Sequence, residues 1–340
     1  MFLFRRTLAN SLNRLLCHLD IGIMRPSEVW RTTELLGKQP NPPAANRGLN
    51  GAAMLLSFGA PADEPFDFAV VMPSLIRPTI CRALGSVFSQ TIPGRVQTLI
   101  GVDAKSGDID LIRSACNGLP PNHSVMVFYP GYSTSVRHGG VHPCWDGGAL
   151  RTILSYMAHC RRVAFLDDDN WWAPEHLQSM AAALEGHDWC WSRRWFVHPL
   201  SGIPICEDET ESVGPGKGIF AANGGWADPN TLAIDKLRCE AVLRWWSIPL
   251  RNSPKAMDAD RNVFRILSRE FEGRPTNQAT VYYTINESDP EHPARVDLIG
   301  PERYAQAGLM PSAGTPSNSS GWETKSRISR HVENTPPISS

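Results

Sequence analysis

Eight cysteines occur in the 340 residues, yet none forms a C-x-x-C pair, which excludes a zinc knuckle of ordinary ligand spacing. They are spread evenly from Cys17 to Cys239 and read as reduced, buried thiols of a cytosolic protein. No apolar run reaches the about 18 residues of a membrane span. Neither sign of charge is in excess: Lys plus Arg is 33, Asp plus Glu is 34, and the net charge is −1. That balance excludes a generally basic nucleic-acid binder and a highly charged disordered chain. The stretch Pro73-Ser74-Leu75-Ile76-Arg77-Pro78 holds no glycine. It therefore cannot be a Gly-rich phosphate loop of the kind used for nucleotidyl or phosphoryl transfer.

What is present has an order. Leu8, Leu12, Leu15, Leu16 and Leu19 recur at helical spacing, beside Arg5, Arg6 and Arg14. A basic amphipathic helix of this kind suits peripheral contact of residues 1–20 with an anionic membrane surface; equally it suits packing on the main domain. The arginines interrupt any export signal, and no small-residue cleavage site follows. The expected location is cytoplasmic, extending to the inner face of the membrane. The Pro- and Gly-broken stretch 37–48 reads as a linker. From about 66 to 290 strand and helix signals alternate. FAVVM (68–72), VQTLIGVD (96–103), VMVFY (125–129) and VAFL (163–166) are short apolar runs fit for buried strands. Between them run helical patterns, with Ile80, Leu84, Val87 and Phe88 on one face, then Ala149, Ile153, Tyr156 and Met157, then Leu177, Met180, Ala181 and Leu184. The alternation predicts an α/β fold with a mostly parallel mixed sheet flanked by helices. Residues 311–340 hold eight Ser, four Pro and four large apolar residues and are expected to be disordered. The expected division is an N-terminal extension over 1–60, one α/β domain over 61–300 and a tail over 301–340.

The sharpest chemical feature is Asp167-Asp168-Asp169, directly after the strand VAFL. Three adjacent carboxylates repel one another, and they sit at a strand's carboxyl end, where open α/β sheets bind ligands. A divalent cation would relieve the repulsion, and Mg or Mn prefers hard oxygen ligands completed by water or substrate phosphate. The same triplet also suits capping of the helix that follows. Three stretches set it in context: FAVVMPSLIRPTICRALGSVFSQTIPG, LIGVDAKSG and VAFLDDDNWWAPEHL. Their order and spacing resemble the family 2 glycosyltransferases of the GT-A fold. There the first strand typically reads V-x-V-I-I-P-T-x-N-R before a phrase like S-V-L-x-Q-T. The second strand typically ends V-D-D, and the acidic stretch reads F-L-D-x-D-D.

The resemblance implies an inverting glycosyltransferase that uses a Mn or Mg ion. It would move a sugar from a nucleotide-diphosphate donor, a UDP-sugar foremost, to a hydroxyl of a glycan or other acceptor. The setting it implies is bacterial polysaccharide or glycan assembly. It also implies roles for particular residues. Pro73 and Ser74 would line the nucleotide pocket, and Arg77 would fix the first loop near it. Asp103 would accept from the base, and Arg151 would lie near the diphosphate. Asp169 would hold the metal, and Asp167 would reach the ribose or the ion. Asp168 could replace either, because three Asp in a row leave the register open. Leu75 and Ile76 depart from the family, which often has a polar residue before the Arg. The proton-accepting base would be a carboxylate opening a late helix: Asp260, with Asp258 as rival. Both also suit simple stabilisation of that helix's N-terminus.

Eleven Trp occur in the chain. Core packing is the commoner role of Trp, but Gly225-Trp226 is a candidate for acceptor contact, because the resembling fold has that loop beside the reaction centre and its two glycines allow close approach; Trp172, which follows the acidic triplet, is a second candidate. Trp189 and Trp191 share a strand face by alternation. His138 and His142 flank two glycines and read as a loop rather than a metal pair. Arg193-Arg194 reads as a solvated basic pair. A second reading, from another class, is a non-catalytic nucleotide-sugar or glycan-binding module on the same fold. The carboxylates at 167–169 and 258–260 speak against it.

Overall fold

The computed structural model describes residues 53–104, 107–144, 147–250, 259–287, 289 and 291–309. In chain order the elements are β1 (Met54–Gly59), β2 (Phe68–Ser74), α1 (Ile80–Phe88), β3 (Val96–Val102), α2 (Asp110–Cys116), β4 (His123–Tyr129), α3 (Gly148–Met157) and β5 (Arg162–Phe165). Next come β6 (Trp171–Trp172), α4 (His176–Leu184), β7 (Trp189–Val197), β8 (Pro204–Glu207), β9 (Gly214–Pro215), β10 (Gly225–Trp226) and β11 (Leu232–Asp235). The chain closes with α5 (Glu240–Leu243), α6 (Ala259–Glu270), β12 (Gly273–Thr284), α7 (His292–Ile299) and α8 (Pro301–Leu309).

One mixed sheet has the order β1-β4-β3-β2-β5-β11-β7-β12-β6, with β8 beside β7. Its central strands β4, β3, β2 and β5 are all parallel; β11 runs antiparallel to β5 and β7 on either side of it. β3 is buried at every position and β2 at all but Pro73, as continuous apolar strands covered on both faces must be. One face packs Ile80, Leu84, Leu177 and Met180 of α1 and α4 against Val70, Ile100 and Val127. The other packs Leu154 of α3, Val242 and Leu243 of α5, and Val263, Phe264 and Leu267 of α6 against Val71, Leu99 and Phe165. Each fully buried side chain of this size contributes about 1.5–3 kcal/mol. A smaller cluster joins Phe196, Ile205 and Ile285 to Ile299 and Ala307 of α7 and α8.

The structure corrects several expectations. β1 lies in the segment assigned to the extension, yet it pairs antiparallel with β4 from Met54 to Gly59. α8 lies in the segment assigned to the tail. The inward face of α3 is Leu150, Arg151 and Leu154, whereas Ile153, Tyr156 and Met157 are 39%, 53% and 36% exposed. Gly101 of β3 explains the choice: a Cβ there would meet Leu154 Cδ1 at 2.9 Å and Leu150 Cβ at 3.2 Å, so the helix rests directly on the strand. The expected N-terminal helix and most of the Ser- and Pro-rich tail lie outside the described residues. Among the described residues no helix is long and apolar enough to cross a membrane.

The chain passes from β2 to β3 to β4 on one side, then returns to place β5 on the other side of β2. The crevice beyond the carboxyl ends of β2 and β5 is therefore the point where strand order reverses, the ordinary ligand position of an open α/β sheet.

Candidate active site

The acid loop leaves β5 at this crevice. Asp167 is held on three sides. Its N–H donates to Asn230 Oδ1 at 2.6 Å, its Oδ2 accepts from Asn230 Nδ2 at 3.0 Å, and its Oδ1 pairs with the Arg151 guanidinium. Arg151 is 5% exposed and comes from the inward face of α3. Asp168 is fully buried and accepts from Ser74 Oγ at 2.6 Å, from the Leu75 N–H at 3.2 Å and from Arg77 Nε at 2.8 Å. Asp169 pairs with Arg77 Nη1 at 2.9 Å and keeps a side chain 31% exposed. Its carboxyl is pushed up to about 7; loss of water around the carboxyl on burial is the main cause, Arg77 opposes it, and the charges of Asp167 and Asp168 add to it. The loop is pinned from behind, since Thr284 donates its N–H to Asn170 Oδ1 and its hydroxyl to Asp169 O, each at 2.9 Å.

This geometry reassigns several expected contacts. Asp168 and Ser74 face each other across the β2/β5 seam, and the Ser74 hydroxyl also accepts from the Ile76 N–H at 2.8 Å. Together they latch the first loop to the acid loop. Ile76 holds a left-handed backbone, φ 58°, and is fully buried. A β-branched residue there is strained by about 1–3 kcal/mol; the departure of Leu75-Ile76 from the expected polar pattern goes with burial of the Ile76 side chain in the core, against the backbone preference, which would favour Asn. Pro73 packs against Gly147, where a Cβ would meet Pro73 Cβ at 2.6 Å. Asp103 is 4% exposed and accepts from Ser133 Oγ at 3.1 Å, Thr134 N–H at 2.8 Å and Thr134 Oγ1 at 2.7 Å. It anchors the loop carrying His138 and His142, and does not present its carboxylate to the crevice.

The two candidate acceptor tryptophans are also committed elsewhere. Trp172 is 2% exposed, donates Nε1–H to Asn230 O at 3.0 Å and stacks on His176 with ring centroids 4.3 Å apart. Trp226 is 5% exposed, with the Arg261 guanidinium 4.3 Å and the Arg194 guanidinium 5.3 Å from its ring. A sugar has no open indole face in either. Gly225 (φ 81°) is required by the β9–β10 pairing, since a Cβ would meet Gly214 O at 2.2 Å. Asp260 stands half-buried in the first turn of α6. That helix packs on the 244–247 turn, which packs in turn on α3, the helix of Arg151. Asp258 lies outside the described residues.

Sequence reading missed the groups behind the loop. Asn230 is 1% exposed and joins Asp167 to Asp228, whose Oδ1 accepts from Asn230 Nδ2 at 2.6 Å. Arg194, expected on a solvated face, is fully buried and pairs with Asp208 at 2.9 Å, Glu211 at 2.7 Å and Asp228 at 2.7 Å. Burial alone would weaken its charge; the carboxylates around it, Asp208 and Asp228 first, raise its pKa instead. Arg295 of α7 adds to the cluster by pairing with Glu211 at 2.9 Å and Asp289 at 3.1 Å. Asp228-Pro229-Asn230 does carry a local signal, an Asp cap with Pro in the first turn. That signal marks the turn and says nothing about its partner 63 residues away.

The sequence matches no protein-family model and no curated protein. Solved structures similar to the chain include S. aureus TarS, at 17% identity over 69% of this chain and 39% of that one, TM-score 0.46. S. aureus TarS 1-349 in complex with UDP aligns at 16% identity over 71% of this chain and 65% of that chain, TM-score 0.45. The mannosyltransferase PcManGT from Pyrobaculum calidifontis, in complex with GDP-Man and Mn2+, aligns at 12% identity over 82% and 67%, TM-score 0.43. The chain thus spans 39% of the first of these and just under two thirds of the second. Likeness at this level carries no functional argument, and the chemistry has to come from the site's own residues.

Among the described residues no group of three or more His, Cys, Asp or Glu side chains is arranged as a metal cage. The donor set nevertheless fits one kind of ion. Both Asp167 oxygens and the Asp168 carboxylate are taken up by protein donors, while Asp169 has a partly open carboxylate whose charge the protein under-compensates. Mg and Mn are commonly held by one or two carboxylates, with substrate phosphate and water completing the octahedron. Asp169 meets that requirement, with Asp167 beside it.

Proposed function

We propose that the chain is a glycosyltransferase. It would take a sugar from a nucleoside-diphosphate donor and pass it, with inversion at the anomeric carbon, to a hydroxyl acceptor. One observation carries this reading: Arg77 and Arg151 converge with Asp167 and Asp169 at the β2/β5 crevice. Two guanidiniums already gathered around anionic oxygens are suited to exchanging those partners for a diphosphate. The order of motifs in the sequence supports the same reading.

The residues divide the work as follows. Arg151, buried and fixed by α3, would neutralise charge on the departing diphosphate, and Arg77 would do so from the more open side. Asp167, oriented by Asn230, would receive a ribose hydroxyl or a water. Asp169 would hold Mg or Mn, which when bound supplies charge neutralisation at the phosphates. Asp260 would take the acceptor's proton as its oxygen bonds to the anomeric carbon. The bond from that carbon to the diphosphate oxygen breaks in the same event, and its electron pair leaves with the nucleoside diphosphate. A single base with direct displacement gives inversion.

Thermal shift with UDP-, GDP- and dTDP-sugars, with and without Mn, tests the reading. The expected outcome is a Mn-dependent rise in Tm with one nucleotide in the wild type, absent in Asp169→Ala. If no nucleotide sugar shifts the wild type under either condition, the donor assignment fails.

A further inference from the structure

On the β7–β12 side of the sheet lies a cavity of about 400 Å³. Trp191, 8% exposed, forms its floor, and Arg193 follows two residues on, along the same strand. The outer wall is a break in β12. Its pairing with β7 slips between Pro275 and Ala279, and the extruded Asn277 takes a left-handed backbone, φ 59°. Bulges of this kind redirect side chains beside sites, and Asn tolerates that conformation. The opposite wall is the loop carrying Glu209 and Lys217. It is closed at Gly218 (φ 69°), where a Cβ would meet Thr210 O at 2.1 Å.

The cavity stands close to the acid loop. Cys190 pairs with Ala233, and Ala233 with Ala164. Both outer strands run antiparallel to β11, so three residues further on Arg193 is level with Asp167, two strand spacings or about 10 Å away. Arg193 pairs with Glu207 at 2.6 Å, yet its Nε–H is shielded from water and has no hydrogen-bond partner. A buried donor left in that state is unfavourable unless a ligand satisfies it. Glu207 is the counter-ion of Arg193, so an incoming anion would be drawn by the exposed Lys217 ammonium and by the unsatisfied Arg193 Nε–H rather than by a net charge of the lining.

We propose that this cavity holds the acceptor, and that the acceptor is an acidic saccharide. A carboxylate or phosphate sits between Arg193 and Lys217, where the guanidinium fork and the ammonium complement it. Glu209 and Asn277 take sugar hydroxyls, and Val213 with Pro275 supplies the apolar contact. The inference rests on the glycosyl-transfer reading for the word acceptor; the binding itself is tested separately.

Calorimetry on the full chain with three disaccharide methyl glycosides decides it: one ending in glucuronate, one in glucose 6-phosphate and one in glucose. At least one acidic probe is expected to bind about tenfold tighter than the neutral one. Lys217→Glu, at an exposed position, is expected to remove that advantage. Arg193→Gln is expected to weaken the same acidic probe. The uronate and phosphate arms separate the two sources of the charge. Equal binding of acidic and neutral probes, no binding of either acidic probe, or acidic binding that survives Lys217→Glu would overturn the proposal. A nucleotide-sugar thermal shift on the same samples reads the donor site independently. Its absence in the wild type is a failure of the glycosyl-transfer reading, not of the cavity.

Discussion

Alternation along an extended strand sends successive side chains to opposite faces of the sheet, and in the acid loop it persists past the end of β5. Phe165 faces the α3 side and Leu166 the α1 side. Asp167 then turns back to Arg151 of α3, and Asp168 to Ser74 and Arg77 at the head of α1. Reading the triplet as a continuation of the strand would have assigned those two residues; reading it as a loop leaves the register open, and the choice of Asp169 then rests on the resemblance alone. The identical neighbours should therefore fail differently. Asp168→Asn takes the charge from a fully buried acceptor of four hydrogen bonds, and should cost about 2–3 kcal/mol in urea unfolding. Asp169→Ala should leave the urea midpoint at or above wild type, because its carboxylate is under-compensated in the fold. If both variants unfold alike, the division of labour within the triplet is wrong.

At the level of elements, apolar runs located the buried strands to within two residues, because a strand covered on both faces has little choice but to be apolar. Helix faces were less legible. α3 presents Ile153, Tyr156 and Met157 outward and turns Arg151 inward, since the site claims that position and Gly101 admits the helix backbone closely. A charged residue on a buried face cannot be seen from periodicity alone. β4 and α4 begin with histidines that periodicity also ignores. His123 is 2% exposed, with burial pushing its pKa down to about 4, and His176 is pushed down to about 3 for the same reason. A histidine that is neutral when folded but protonates near 6.5 when unfolded binds more protons in the unfolded chain between those values. Its stabilising share is present above pH 6.5 and is lost as pH falls toward the folded pKa. For His123 the loss between pH 7 and pH 4.5 is about 2–3 kcal/mol. His123→Phe, packed edge-on to Phe88 as the imidazole is, should flatten the pH dependence of urea stability by that amount. An unchanged slope would mean that the imidazole is not held neutral.

Across the whole molecule, the acid loop is tied to the far C-terminal helices through charges that no local pattern reveals. From α7, Arg295 holds Glu211; Glu211 and Asp228 share Arg194; Asp228 holds Asn230; and Asn230 holds Asp167. Each partner lies 17 to 84 residues from the next except where Asp228 meets Asn230, so sequence reading saw a solvated Arg pair and a capped turn where the fold builds one buried network. Removing Arg194 would leave buried Asp208 and Asp228 without a cation, Glu211 keeping Arg295, and is uninformative about the site, because much of the network would go with it. Asn230 is the discriminating position. If its amide serves to aim Asp167, the two residues act as a unit and their losses cannot add. Donor affinity in the presence of Mn, measured by calorimetry on Asn230→Ala, Asp167→Ala and the double variant, should give a coupling of about 1–2 kcal/mol, the double being little worse than Asp167→Ala alone. Full additivity would make Asn230 a structural neighbour with no say in the site, and would confine the network's role to holding α7 and α8 on the sheet.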